Sequence, residues 1–223
     1  MSLISSHAGV VALGAASDPY AAFRVTIANL NVDLGDPKRT WTAHGDAVVS
    51  GGWLTLDGAG DYIDTPQSTD FDFGSGSFCV EAFVQISGAP AGAVPIMAKW
   101  KAGFLSWYLG LNASRQAILF VRIAGGNYFP SGTTATVALN TPTHVAMYRI
   151  GNNFYLAVGG VVQNVLSQAG SIDVTSQPVA IGAQPDGSNN FTGLIRGGRG
   201  TKGSTGGYGA TNFTPPSFPL PTS

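Results

Sequence analysis

The sequence predicts an all-β fold, a two-sheet antiparallel jelly-roll sandwich, on three observations. Its 223 residues include 31 Gly and 13 Pro but only 10% charged side chains, against about 25% in an average soluble protein, so helix formers are scarce. Turn signals recur about every 8 to 12 residues. Between them lie about 14 short runs that alternate bulky apolar with small or polar residues, the period of a half-buried strand. That count exceeds the seven strands of an immunoglobulin sandwich and suits a double-sheet jelly roll. No repeat of 20 to 50 residues points to a solenoid or propeller.

In chain order, residues 1–20 read as an N-terminal arm. The apolar run 8–16 is shorter than the ~18 residues of a membrane span, and no Lys or Arg precedes it as in a secretory leader. Asp18-Pro19-Tyr20 marks a turn, and a single jelly-roll domain is expected over 21–196. Strands are expected at 23–34, 47–50, 53–56, 62–64 and 77–86, divided by Gly51-Gly52, Asp57-Gly58 and the loop 70–76. More follow at 94–100, 105–111, 117–123, 134–139, 143–150, 154–158 and 161–165. Gly151-Asn152-Asn153 and Gly159-Gly160 bracket the run 154–158, which makes a three-strand meander. Runs at 178–182 and 191–195 complete the set. Residues 197–223 are expected to be a Gly-rich surface loop and a Pro-rich tail. The segment 197–209 holds seven Gly in thirteen residues, and the tail that follows is extended, polyproline-like backbone. It is expected to pack on the domain or a neighbouring subunit through Phe213, Pro215, Pro216, Phe218 and Leu220.

Eleven basic and twelve acidic side chains nearly cancel. No long-range field draws in nucleic acid or an anionic membrane, so neither is expected as a partner. Arg196-Gly197-Gly198-Arg199-Gly200 has too few cations for a single-strand-binding tail. The one cysteine, Cys79, excludes an internal disulfide and a Cys-rich zinc site, and its strand-like surroundings read as packing.

The block Gly52-Trp53-Leu54-Thr55-Leu56-Asp57-Gly58-Ala59-Gly60-Asp61-Tyr62-Ile63, then Phe71-Asp72-Phe73-Gly74, then Phe78-Cys79-Val80-Glu81-Ala82-Phe83-Val84, resembles the concanavalin A-like, laminin-G-like jelly rolls. His144-Val145-Ala146-Met147-Tyr148-Arg149, leading into 153–160, is similar to that family's late hairpin. The likeness covers about residues 23 to 196. Asp18-Pro19-Tyr20-Ala21-Ala22 at one end and Tyr208-Gly209-Ala210-Thr211-Asn212-Phe213-Thr214-Pro215-Pro216 at the other resemble tailed-bacteriophage structural proteins. In those relatives the last strand carries an acidic residue after Gly-x-Ile. Here Gly193-Leu194-Ile195 is followed by Arg196.

Glycoside hydrolases of this superfamily retain configuration with two carboxyl groups about 5 Å apart, commonly at alternate positions of one strand. This chain has a single glutamate, Glu81, flanked two positions away by Cys79 and Phe83, so no enzyme is expected. Alternation places Val80, Ala82 and Val84 on one face and Cys79, Glu81 and Phe83 on the other, where Glu81 needs a partner. Lys99, on an adjacent strand, is the expected structural ion pair. His7, His44 and His144 lack metal-ligand spacing, and no Gly-x-Ser-x-Gly elbow is present.

Asp57, Asp61, Asp64, Asp70 and Asp72 crowd one stretch and offer hard oxygen ligands of the kind calcium takes. They lack Asp-x-Asp-x-Asp-Gly spacing, so no cofactor is expected and Ca2+ is the alternative. Trp100, Trp107, Tyr108 and Tyr128 are the candidate ligand-binding residues, as aromatic faces for the apolar side of a sugar. The function expected is that of a non-enzymatic bacteriophage virion component, a capsid decoration, minor head or tail protein. It would be a homo-oligomer held by contacts with other virion proteins, since sparse charge lowers the cost of burying surface. The alternative is a lectin-like module displayed on the virion that recognises host polysaccharide.

Overall fold

Alternating runs closed by glycine turns become fifteen strands in the computed structural model, which describes residues 21–25 and 39–218. They are β1 (Ala21–Val25), β2 (Thr42–His44), β3 (Val48–Ser50), β4 (Trp53–Asp57), β5 (Tyr62–Thr65), β6 (Phe78–Gln85), β7 (Val94–Lys101) and β8 (Phe104–Leu111). There follow β9 (Ala117–Ile123), β10 (Gly126–Tyr128), β11 (Thr143–Ile150), β12 (Asn153–Val158), β13 (Val161–Ser167), β14 (Val179–Ile181) and β15 (Thr192–Lys202). Sheet A runs β13-β12-β11-β6-β15-β4-β3, with β1 also on β15, and sheet B runs β10-β9-β8-β7-β14-β5-β2. The ladders are antiparallel, so the chain forms the two-sheet jelly-roll sandwich that its sequence predicts.

The core lies between the sheets. Val80, Ala82 and Val84 of β6 and Val145 and Met147 of β11 meet Trp107, Leu109, Leu119 and Val121 of β8 and β9. On β6 the alternate positions, Cys79 and Glu81, face outward, as the period of two requires.

Several expectations need correction. The Gly-rich segment is no surface loop over 197–202, where it continues β15 between β6 and β1 in the middle of sheet A. A Cβ on Gly198 would lie 3.1 Å from Met97 Cε across the core, so the missing side chain makes room for a bulky one opposite. The run 134–139 forms isolated bridges, Gln116 with Thr136 and Ile86 with Leu139, in place of a strand. β2 and β10, three residues each, are too short to register as alternation. Of the expected strand 23–34, the described part ends at Val25. The arm 1–20 lies outside the described residues.

The tail seats on its own domain, across the outer face of sheet A. The Phe213 N–H donates to the Gly160 carbonyl (3.0 Å), Val162 N–H to Asn212 Oδ1 (2.8 Å) and the Tyr148 hydroxyl to the Gly209 carbonyl (2.8 Å). Gly160 has φ +81, and a methyl there would overlap the Phe213 carbonyl and meet Pro215 Cδ at 3.0 Å. Phe218 lies under the Arg196 guanidinium, 3.8 Å from ring centre to Cζ. Of the two seats expected for the tail, its own domain or a neighbouring subunit, Phe213, Pro215 and Phe218 take the first. Pro216 is half-buried in the same run, and Leu220 lies outside the described residues.

Candidate functional site

The outer face of sheet B is the more open of the two. Its register places Thr42, Asp64, Ala180, Ala98, Tyr108 and Phe120 in one row across β2, β5, β14, β7, β8 and β9. On one flank Tyr108 stacks on Phe120 (4.6 Å, 21° between planes), and Trp100 meets both Phe120 (5.8 Å) and Phe129 (5.7 Å). Phe129, just past β10, therefore reaches Trp100 on β7 over two intervening strands. It caps the cluster and is 58% exposed. On the other flank His44 stacks on Tyr62 (4.1 Å), with Nε2 3.1 Å from Asp64 Oδ1.

Beside the aromatic flank is a cavity of about 390 Å³ lined by Gly103, Phe104, Leu105, Arg122, Asp173 and Val174 through Ser176. Phe104 is 43% exposed and has the Lys101 ammonium over its ring at 5.3 Å. Leu105 joins the cavity to the aromatic cluster, against which it packs. A second cavity, about 490 Å³, opens between the loop 87–93 and Asn189, Asn190 and Thr192.

The aromatic residues chosen from the sequence divide by strand alternation. Trp100 and Tyr108 belong to the outer cluster but are almost wholly buried under Phe129 and Phe120. Burial pushes the Tyr108 hydroxyl well above its ordinary range, and that hydroxyl has no hydrogen-bond partner. Trp107 points into the core, its indole N–H donating to the Phe71 carbonyl (2.9 Å), and Tyr128 packs on the core edge. Trp107 is fully buried and Tyr128 half-buried, and since each pairs with inward-facing Val121, neither joins the outer aromatic cluster. Sequence reasoning missed Phe104, Phe120, Phe129, Arg122 and Asp173. One signal was there: Ala117-Ile118-Leu119-Phe120-Val121 is apolar on both faces, which on a sheet with one solvated side means apolar surface facing out.

Sheet A's outer face is closed. Glu81 pairs with Arg199, from Nε to Oε1 at 2.5 Å, and its Oε2 lies 2.7 Å from His144 Nε2 and accepts from the Tyr208 hydroxyl at 2.6 Å. Glu81, His144 and Arg199 are buried, and Tyr208 stacks on Phe213 above them (4.2 Å). Burial pushes the Glu81 carboxyl up, but the His144 hydrogen bond and the Arg199 charge outweigh it and hold it below the ordinary range. Arg199 responds in the opposite sense. Burial lowers it, and the Glu81 charge more than restores it. The Tyr208 hydroxyl is pushed far up by burial and by the carboxylate beside it.

The expected Glu81–Lys99 pair is therefore wrong. The two residues sit on different sheets, Glu81 facing outward from β6, while Lys99 is buried against Asp72. What separates them is tertiary: β7 crosses to the other sheet, and β15 takes the place beside β6.

The five aspartates do not converge. Asp70 pairs with Arg39, Asp72 with Lys99 and Asp64 with His44. Asp57 and Asp61 meet Asp46, with candidate ligand atoms within 4.8 Å. Each Asp61 oxygen accepts a backbone N–H, from Asp46 (2.8 Å) and Asp57 (2.9 Å), so the carboxylate closes the β4–β5 turn. Burial works against the charge on Asp61, but those bonds keep its carboxyl below the ordinary range. The hydrogen bond and the charge of Asp61 raise that of Asp46.

A family model described as the concanavalin A-like lectin/glucanases superfamily matches residues 57–199. A search of curated proteins finds no match. Among solved structures, Trypanosoma rangeli sialidase in complex with an inhibitor is similar at TM-score 0.57 and 17% identity, over 80% of this chain and 30% of that one. The botulinum neurotoxin serotype G binding domain is similar at TM-score 0.62 and 10% identity, over 87% and 48%. Domain 4 of AbnA, an extracellular arabinanase from Geobacillus stearothermophilus, in complex with arabinotriose, is similar at TM-score 0.60 and 15% identity, over 82% and 93%. The chain thus spans about a third of the sialidase and about half of the neurotoxin fragment. At these identities the likeness is one of fold.

Proposed function

The chain belongs to the concanavalin A-like lectin/glucanase superfamily, and from that premise we propose that it is a non-enzymatic carbohydrate-recognising module whose ligand lies on the outer face of sheet B. One observation carries the reading: the exposed ring of Phe104 shares a cavity with the half-exposed Arg122, which donates to Asn127, and Leu105 links that cavity to the aromatic cluster capped by the exposed ring of Phe129. Apolar faces edged by hydrogen-bonding groups suit the two sides of a sugar ring. The arabinanase domain, solved with arabinotriose, supports the choice of ligand class. Asp64 and Asp173 sit on or beside strands four steps apart, roughly 19 Å at about 4.8 Å per step. That is too far for a carboxyl pair, which needs about 5 to 9.5 Å. The test is a glycan array with the whole chain, followed by Phe104→Ala and Phe129→Ala. We expect each to weaken binding at least tenfold, and absence of binding by the unaltered chain would remove the reading.

A second reading, a bacteriophage virion component packed among copies of itself and other virion proteins, is favoured by β13. This edge of sheet A is seven residues long, Val161-Val162-Gln163-Asn164-Val165-Leu166-Ser167, with no charge and no proline; Asn212 of the tail takes the Val162 N–H, and Val161 is 45% exposed. Long edges of solitary domains are usually blunted by such residues. The particle would present the module to host polysaccharide. Light scattering should give an oligomer that Val161→Lys dissociates; a monomer at all concentrations would sink this reading.

A further inference from the structure

We propose that the cavity between the β7–β8 turn and residues 173–176 is a subsite for one uncharged sugar unit bearing vicinal hydroxyls, placed at the end of the bound chain. The inference rests on the carbohydrate reading of sheet B and deepens it. Three features argue for it.

The first is a charge pair held rigid before any ligand arrives. Asp173 Oδ2 accepts from Arg122 Nε (3.0 Å) and from the Gly125 N–H (3.1 Å), while Arg122 Nη1 donates to Asn127 Oδ1 (3.0 Å). The Asp173 N–H donates to the Arg122 carbonyl at 2.8 Å, which ties the two backbones together. Asp173 Oδ1, which the Gly125 N–H reaches only at 3.4 Å, and the remaining guanidinium N–H groups offer acceptor and donor capacity from one ion pair. Adjacent hydroxyls of a sugar, each both donor and acceptor, match that pattern. The pair is neutral as a unit, and Lys101, whose ammonium stands over the Phe104 ring at the rim, shares its field with Asp186, so a carboxylated or sialylated unit would meet Asp173 as well as Arg122 and gain little.

The second is a polar atom that lacks a partner. Thr175 lines the cavity while its Oγ1 is turned away from solvent with no hydrogen bond, so a χ1 rotation that brings the hydroxyl into the cavity would let a ligand hydroxyl satisfy it.

The third is shape. Phe104 and Leu105 supply apolar lining, residues 173–176 complete it, and the volume of about 390 Å³ lies at the low end of small-ligand pockets, about 300–1,000 Å³. Leu105 makes the cavity continuous with the aromatic cluster. A saccharide lying along Phe129 and Phe120 would therefore place one terminal unit here.

The experiment uses the full chain on an array of neutral oligosaccharides and of the same chains ending in glucuronic or sialic acid. Titration calorimetry of Arg122→Gln, Thr175→Val and Ser176→Trp follows, each checked for an unchanged thermal midpoint. Ser176 is exposed, so the indole fills the cavity without disturbing the core. Expected are neutral-ended chains binding at least tenfold tighter than acid-ended ones, a loss of at least tenfold in Ser176→Trp and Arg122→Gln, and a smaller loss in Thr175→Val. Binding that Phe129→Ala abolishes but all three cavity variants retain would overturn the subsite and leave the face intact. So would a preference for acid-ended chains. No glycan binding by the unaltered chain would overturn both.

Discussion

The two outer faces of this sandwich differ in what they do with charge. Sheet A places a carboxylate, Glu81, near the middle of its width, surrounds it with Arg199, His144 and Tyr208, and covers the group with its own tail. Sheet B gathers aromatic rings at one flank and leaves Phe129 and Phe104 in solvent, with its charges at the margin. The comparison teaches that an ion buried on a sheet's outer face demands a lid, whereas a cluster of rings there needs none. Removing a carboxylate from water costs several kcal/mol unless every lone pair is satisfied, so the segment 203–218 is committed to sheet A. A half-exposed ring carries no such penalty, and sheet B stays available to a ligand.

The largest expected effect comes from breaking sheet A at its centre. Glu81→Ala leaves the buried Arg199 without its carboxylate counter-charge and should cost about 3–5 kcal/mol in urea unfolding. A loss under about 1 kcal/mol would mean that the network is not what seats the tail. Next is Gly160→Ala, which places a side chain at φ +81 against the Phe213 carbonyl. It should cost about 1–3 kcal/mol, and hydrogen exchange should quicken at Phe213 and Val162 while β8 and β9 stay protected. Uniform quickening would erase the distinction between the faces.

Acid sharpens the same contrast. The folded-state pKa of Glu81 is depressed by His144 and Arg199 against the pull of burial, so its stabilising effect is fully present above the unfolded value of about 4.3 and is lost as pH falls through the lower folded value. Stability measured by urea titration should therefore decline below about pH 4.3, and Glu81→Gln should flatten that limb. An unchanged slope in the variant would assign the acid limb elsewhere. The smallest effect on stability is expected on sheet B. Phe129→Ala removes a mostly exposed ring whose edge contacts with Trp100 and Phe120 are worth about 0.5–1.5 kcal/mol, so unfolding should shift by no more than that while glycan binding weakens. A shift above about 2 kcal/mol would show that the ring supports the core and not only the outer cluster.

How much was legible follows from the range of each interaction. Period-two alternation identified β6, β8, β9, β11 and β12 to within a residue or two, because inner and outer positions of a strand are local properties. The same alternation, applied to Trp107, would have sent it inward with Leu109 and Leu111; grouping aromatics by proximity in sequence hid that. Glu81 was recognised as a buried carboxylate in need of a partner, and the wrong partner was chosen because the strand beside β6 is 118 residues away, at Arg199. Gly-rich composition argued for a loop at 197–202, since glycine weakens strands in isolation, but pairing on both sides overrides that preference.

By itself, then, the sequence determined the sandwich, most of its strands, the scarcity of free charge and the need of one glutamate for company, all of which are written in neighbours a few positions apart. Tertiary structure alone decided that β15 brings Arg199 to Glu81, that Lys99 goes to Asp72 on the other sheet, and that Phe104, Phe129, Arg122 and Asp173 share one open flank. The reason is physical. Strand order in an antiparallel sandwich is set by which distant ladders close the core best, and no local pattern in the chain encodes that choice.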